Sequence, residues 1–223
     1  MLLISQSYHS GRIKSRKMCS FSLSTALQRV TFDPLSYIHQ QRIDIPGNLI
    51  KQPAQRAAVN ELIIKSMQLD IQLDDVSLIK TPLVQQVLCR WDLLVQVAFL
   101  LGCYYRRGDL AWQGNFLSLP EWARHFLLMN LPANELISKH EQYYGGLLCT
   151  GYSLLMGSVK TLPSLLTQRI PLLFPPEAEH MLPSYVAEPL ILTLAFQHAQ
   201  RNPDKLFSTT SVGWCADKTG YYP

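Results

Sequence analysis

The 223-residue chain has little charge: Asp, Glu, Lys and Arg make up 16% of it, against about 25% in an average soluble domain. A surface so poor in charge fits two readings, a compact well-buried domain or a protein partly covered by partners. Several motifs are missing too. There is no Gly-x-x-x-x-Gly-Lys, so no loop gathers backbone N–H groups and a lysine around a nucleotide's phosphates. The five cysteines, Cys19, Cys89, Cys103, Cys149 and Cys215, contain no Cys-x-x-Cys, the common spacing of a zinc site. An odd, dispersed set suits reduced thiols in a cytoplasm. No Gly-x-Ser-x-Gly elbow presents a nucleophile. The most apolar run, Leu93 to Tyr105, is thirteen residues long, short of the ~20 that cross a bilayer. No run alternates cleanly with β-branched side chains, so strand signals are poor.

The remaining candidates for chemistry read as structure. Glu177, Glu179 and His180 are possible metal ligands but suit a solvated loop. Asp74-Asp75 suits a turn. Thr150-Gly151-Tyr152-Ser153 resembles a nucleophile elbow only superficially. Cys103 sits in the most apolar helix and reads as a buried structural thiol. No cofactor and no metal are expected.

Hydrophobic residues, at 48%, are ample for one core. The net charge of +4 comes from Arg12, Lys14, Arg16 and Lys17, and the rest of the chain carries 16 basic and 16 acidic residues. A neutral body argues against nucleic acid, which needs a basic face to displace counterions. The basic start suits contact with anionic lipid or an acidic partner, but reads rather as a disordered leader or an over-extended gene start with Met18 as initiator. It lacks the order of a signal peptide, because its basic residues follow the apolar ones.

Helical periods are clear. Thr81-Pro82 opens a helix in which Val84, Val87, Leu88, Trp91, Leu94, Val95, Ala98, Leu101 and Tyr105 recur at three- and four-residue spacing. It becomes apolar all round at its C-terminal end and is expected to be the central helix. A second helix starts near Pro53, with Val59, Leu62, Ile63 and Met67 inward and Glu61 and Lys65 paired outside. Ser118-Leu119-Pro120-Glu121 has the spacing of a capping box, with Trp122, Phe126 and Met129 on one face beyond it. Residues 133–158 read as a helical pair weakened by Gly145-Gly146, Gly151 and Gly157. Pro189 opens a late helix with Leu190, Ile191, Leu194, Ala195 and His198 in phase, ended by Asn202-Pro203. The fold class is therefore mainly α: one compact, irregular helical domain with little or no β structure. Its expected extent is 28–202, after a poorly ordered basic leader (1–27) and before a loosely ordered tail (203–223).

One aromatic stands apart. Trp112 lies in a polar stretch between Asp109 and Gln113-Gly114-Asn115, a turn after Arg106 and Arg107. Tryptophan beside arginine is typical of interface hot spots, while the alternative folds Trp112 onto the central helix. Arg106, Arg107 and Trp112 are the expected partner-binding residues.

The stretch Arg29 to His39 encodes no chemistry. Asp33-Pro34 suits a helix start, with the aspartate as cap, and Phe32 with Tyr37 and Ile38 suits a hydrophobic staple. Phe32-Asp33-Pro34-Leu35-Ser36-Tyr37-Ile38-His39 with Gln41-Arg42 resembles the start of the OrgA/MxiK (SctK) family of type III secretion proteins. The resemblance continues, in order, through Pro53-Ala54-Gln55-Arg56-Ala57-Ala58-Val59-Asn60-Glu61-Leu62-Ile63, Val97 to Cys103, Leu119 to Ala123 and Gln168 to Pro176. It covers roughly residues 28–200 and leaves both ends unmatched. It implies a non-enzymatic adaptor of the injectisome sorting platform, cytoplasmic and beneath the inner membrane. The implied partners are the ring protein SctD, through its cytoplasmic domain, and the pod protein SctQ, with the stalk SctL and the ATPase SctN beyond. The rival readings are a secretion-associated chaperone and an enzyme of unrecognised helical fold.

Overall fold

The computed structural model describes residues 23–47, 51–72, 79–129, 131, 146–180 and 185–203, excepting the side chains of residues 112, 113 and 180. Most of the expected leader, most of the tail, Asp74-Asp75 and the first part of the expected 133–158 pair lie outside these. The described residues are helical or irregular, with no strand among them. Residues 23–32 form α1, which therefore begins within the expected leader. It is followed by α2 (Pro53–Ser66), α3 (Pro82–Cys89), α4 (Leu94–Tyr105) and α5 (Arg107–Ala111). Then come α6 (Glu121–Leu127), α7 (Leu147–Ser158), α8 (Ser164–Thr167) and α9 (Pro189–Arg201). Short 3₁₀ turns at Pro34–Ser36, Gln40–Arg42, Trp91–Leu93, Trp112–Ser118, Pro171–Leu173 and Pro176–His180 link them.

The centre is α4, as its apolar circumference requires: all twelve of its residues are buried. Helix α7 packs most extensively on it. The two touch backbone to backbone, because a Cβ at Gly102 would lie 1.8 Å from the Leu147 carbonyl oxygen and one at Gly151 only 1.6 Å from that of Ala98. Glycine is what permits this approach. Gly151, expected to weaken a helix, is thus where the main helix pair meets. Helix α9 also packs on α4. It buries Ile191, Leu192, Ala195, Phe196, His198 and Ala199, leaving Leu190 53% exposed, one position out of the expected phase. From α6, Trp122 stacks 5.7 Å from Phe99 and Phe126 lies 5.3 Å from the His198 ring.

The expected single helix from Pro82 to Tyr105 is broken. The chain bends by 76° between α3 and residues 91–105, with Arg90 leaving helical geometry at φ −126° and ψ 29°. The break lets buried Trp91 meet Tyr37 edge to face at 5.5 Å and lets Arg90 donate to the Gln200 amide oxygen at 3.0 Å. Among the described residues no single helix is long and apolar enough to cross a membrane. The bent pair passes by length and composition, but its α4 half is buried in protein.

Two local expectations give way to longer-range partners. Asp33 does not cap the Pro34–Ser36 turn. Its carboxylate accepts from Arg56 Nη2 at 2.9 Å and Asn60 Nδ2 at 2.8 Å, while Asn60 Oδ1 accepts from the Leu35 N–H at 3.0 Å. This clamp sets the phase of α2, which turns Asn60 and Ile63 inward and leaves Leu62 65% exposed, contrary to the expected inner face. Phe32 is 56% exposed, so no staple shields it. The Ser118 hydroxyl donates to Asn115 O at 2.7 Å instead of closing a capping box, and Met129 is 37% exposed rather than packed with Phe126.

Candidate protein-docking surface

The polar residues of the interior tie chain segments together. Arg169 is wholly buried. It donates from Nη1 to Leu165 O at 2.9 Å and from Nη2 to Thr31 O at 3.1 Å, across 138 positions of sequence. Those carbonyls end α8 and α1, where helices leave acceptors unpaired and a cation is favoured. Burial holds the Arg169 pKa below its usual value, and the neighbouring Tyr37 hydroxyl works against that. Tyr37 itself donates to Val30 O at 2.7 Å, and burial pushes its hydroxyl well above the usual range. His39 N–H donates to Leu172 O at 2.7 Å and Arg42 Nε to Phe174 O at 2.6 Å. Arg42 also pairs with Glu179. Residues 29–42 are thereby strapped to residues 165–180 on one side and to α2 on the other.

His39 should make this strap sensitive to pH. It is buried, and burial first, then the nearby Arg42, lowers its pKa from 6.5, with Glu177 opposing. A base whose folded pKa is depressed contributes stability that is complete above its unfolded pKa and lost as pH falls through the folded one. Urea midpoints are expected to drop between pH 7.5 and pH 5.5. A His39→Gln variant should show a smaller drop, and an unchanged slope would remove His39 from the account.

Of the residues weighed for chemistry, Asp74-Asp75 and the side chain of His180 lie outside those described. Thr150-Gly151-Tyr152-Ser153 lies inside α7. Cys103 is fully buried, and burial pushes its thiol far above the ordinary range. Cys89, Cys103 and Cys149 are not in disulfides. Among the described residues no three His, Cys, Asp or Glu side chains group around a possible metal position.

What the surface does offer is the segment from Arg106 to Met129. Arg106, just beyond α4, has a side chain only 13% exposed and pairs with Asp109 at 2.9 Å. Arg107 opens α5, with its guanidinium 5.2 Å from the Tyr104 ring centroid, a cation–π contact. Trp112 begins the Trp112–Ser118 turn, its side chain outside those described. Beyond it Leu117 and Leu128 are 72% and 70% exposed. Phe116, Glu121, Arg124, His125 and Leu128 line a shallow groove there. Of these groove residues the sequence marks Glu121, for a capping box, and it does not mark Phe116, Arg124 or Leu128. They come from two elements, and the available signal was local: Glu121 and His125, four apart, pair at 3.7 Å across one helical turn.

The family model for bacterial type III secretion apparatus proteins (OrgA_MxiK) matches residues 27–201. The chain belongs to this family. It is 42% identical over 191 residues to oxygen-regulated invasion protein OrgA of Salmonella typhimurium, covering 86% of this chain and 95% of the relative. It is 30% identical over 134 residues to YgeO of Escherichia coli (strain K12), covering 57% of this chain and 92% of the relative. It is 30% identical over 73 residues to protein MxiK of Shigella flexneri, or 33% and 39% of the two chains. No solved structure matches the chain. Three of the family-like sequence blocks, around residues 29–42, 53–63 and 168–176, meet in the polar strap.

Proposed function

We propose that this chain is a cytoplasmic adaptor of the injectisome sorting platform, working at the cytoplasmic face of the inner membrane. It joins the cytoplasmic domain of the ring protein SctD to the pod protein SctQ, and through the pods to the stalk SctL and the ATPase SctN. Membership of a secretion-apparatus family carries the reading. An adaptor needs a rigid body with separate contact faces. The buried α4 and the polar strap supply rigidity. Exposed apolar residues lie on separate parts of the chain, Leu62 on α2 and Leu117 and Leu128 in the 106–129 segment.

Arg106, Arg107 and Trp112 are assigned to one contact face. The test is capture of the purified pod protein and the purified ring-protein cytoplasmic domain by the full chain. Binding to neither would sink the adaptor reading. Arg107→Glu should weaken one capture about tenfold, ~1.4 kcal/mol, without lowering the melting temperature. Arg106 is the poorer probe, because its reversal also breaks the Asp109 pair. Undiminished capture by Arg107→Glu would remove that residue from the contact.

A further inference from the structure

The helices are held in place by different kinds of contact. All twelve residues of α4 are buried, so it cannot leave without opening the core. Of the fourteen residues of α2 only Asn60 and Ile63 are buried. Ile64 reaches the core with part of its side chain, as does Met67 just beyond the helix. The main neighbour of α2 is the short Pro34–Ser36 turn. What fixes α2 is polar and reachable by water. The Asp33 carboxylate accepts from Arg56 at 2.9 Å and from Asn60 at 2.8 Å, and the Asp33 and Arg56 side chains are 32% and 37% exposed. Beyond the far end of α2, Asp70 N–H donates to Gln168 Oε1 at 2.8 Å and Gln168 Nε2 donates to Asp70 Oδ2 at 2.9 Å, both at the exposed surface.

The C-terminal end of α2 carries strain. The helix stops in a Schellman turn, with Leu69 N–H bonded to Ile64 O at 3.0 Å and Gln68 N–H to Lys65 O at 3.2 Å. That turn needs a left-handed residue, and Gln68 supplies it at φ 51°. Gln68 is the one non-glycine with positive φ among the described residues, and an L side chain resists that conformation where glycine does not. A detached helix of this length is marginal in water, so release and unwinding go together and relieve Gln68.

We propose that α2 is a latch helix: it opens as a unit at the Asp33 clamp while α4, α7 and α9 stay folded. Segments that bury little apolar surface and rely on solvent-accessible bonds open well below the cost of global unfolding. Opening frees the Asp33 carboxylate, uncovers Ile63 and bares the face of the Pro34–Ser36 turn on which α2 lies. Phe32, next to that turn, is already 56% exposed, so the open form has more apolar surface around residues 32–36. The strap from residues 29–42 to 165–180 involves no residue of α2 and stays closed. The latch holds or fails whatever partners the chain joins.

Native-state hydrogen exchange of the full chain, followed by mass spectrometry, tests it. After correction for intrinsic rates, amides of residues 57–66 are expected to exchange roughly a hundredfold faster than those of 98–105 and 151–158. Asp33→Asn should speed exchange in α2 about tenfold, since bonds to a charged acceptor are the stronger ones, and leave the other two segments unchanged. Gln68→Gly should slow exchange about threefold by removing the left-handed strain, again in α2 alone. This second variant moves the equilibrium toward closure, so its reading does not depend on a weakened protein folding. Exchange of α2 at the rate of α4 and α7 would overturn the latch, as would an Asp33→Asn effect spread evenly over all three segments. Gln68→Gly without effect in α2 would overturn it too.

Discussion

Gly151→Ala is expected to destabilise the protein by about 3 kcal/mol or more, at the top of the usual overpacking range. The added methyl would sit 1.6 Å from the Ala98 carbonyl oxygen, and Gly102→Ala would meet Leu147 O at 1.8 Å. Both obstacles are backbone, so no rotamer change relieves them and α4 and α7 must separate. Alanine's helix preference returns only about 1 kcal/mol, well short of the clash. For a chain of this size the melting temperature should fall by roughly 6–12 °C. Gly108→Ala is the control, because Gly108 lies in α5 with nothing within 4 Å of an added Cβ. It should be neutral or slightly stabilising. A thermal melt of Gly151→Ala within a degree or two of the wild type would mean that the helices do not touch at that point.

Arg169→Ala should cost about 3–5 kcal/mol. It empties a fully buried site, and large-to-small changes in such sites cost ~2–5 kcal/mol. It also strips donors from the Leu165 and Thr31 carbonyls, each worth ~1–3 kcal/mol when buried and unmet. Arg169→Met separates the two effects. It keeps most of the volume and removes the desolvation cost of the charge, which by itself is often neutral or favourable. The methionine variant should therefore fall between wild type and alanine in chemical denaturation. A methionine variant as stable as wild type would show that the guanidinium's hydrogen bonds contribute nothing net.

The sequence shows some of these features and hides others for identifiable reasons. The buried α4 is legible because a helix apolar on every side has no face for water. The class, mainly α, follows from the same periodicity. Gly151 misleads, since a glycine's missing side chain is visible in sequence while the carbonyl that needs the space, Ala98, is 53 positions earlier. Asp33-Pro34 has a local cap pattern, yet its aspartate is taken by Arg56 and Asn60, 23 and 27 residues on. The apolar pattern of α2 places Leu62 inward with Val59, Ile63 and Met67, but a polar clamp at Asn60 shifts the phase and leaves Leu62 outside. Arg106, Arg107 and Trp112 stood out because they cluster in sequence. The groove of Phe116, Arg124 and Leu128 exists only once α6 folds beside the Trp112–Ser118 turn.

The strap has a consequence for synthesis. Arg169 and Thr31 are 138 residues apart, a span that a ribosome moving at ~5–20 residues per second takes roughly 7–28 seconds to cover. Through that interval Tyr37, buried in the finished protein, lacks its neighbour Arg169. Elements made early are thus among the last to be locked. On the nascent chain this strap cannot close until residues 165–174 have emerged.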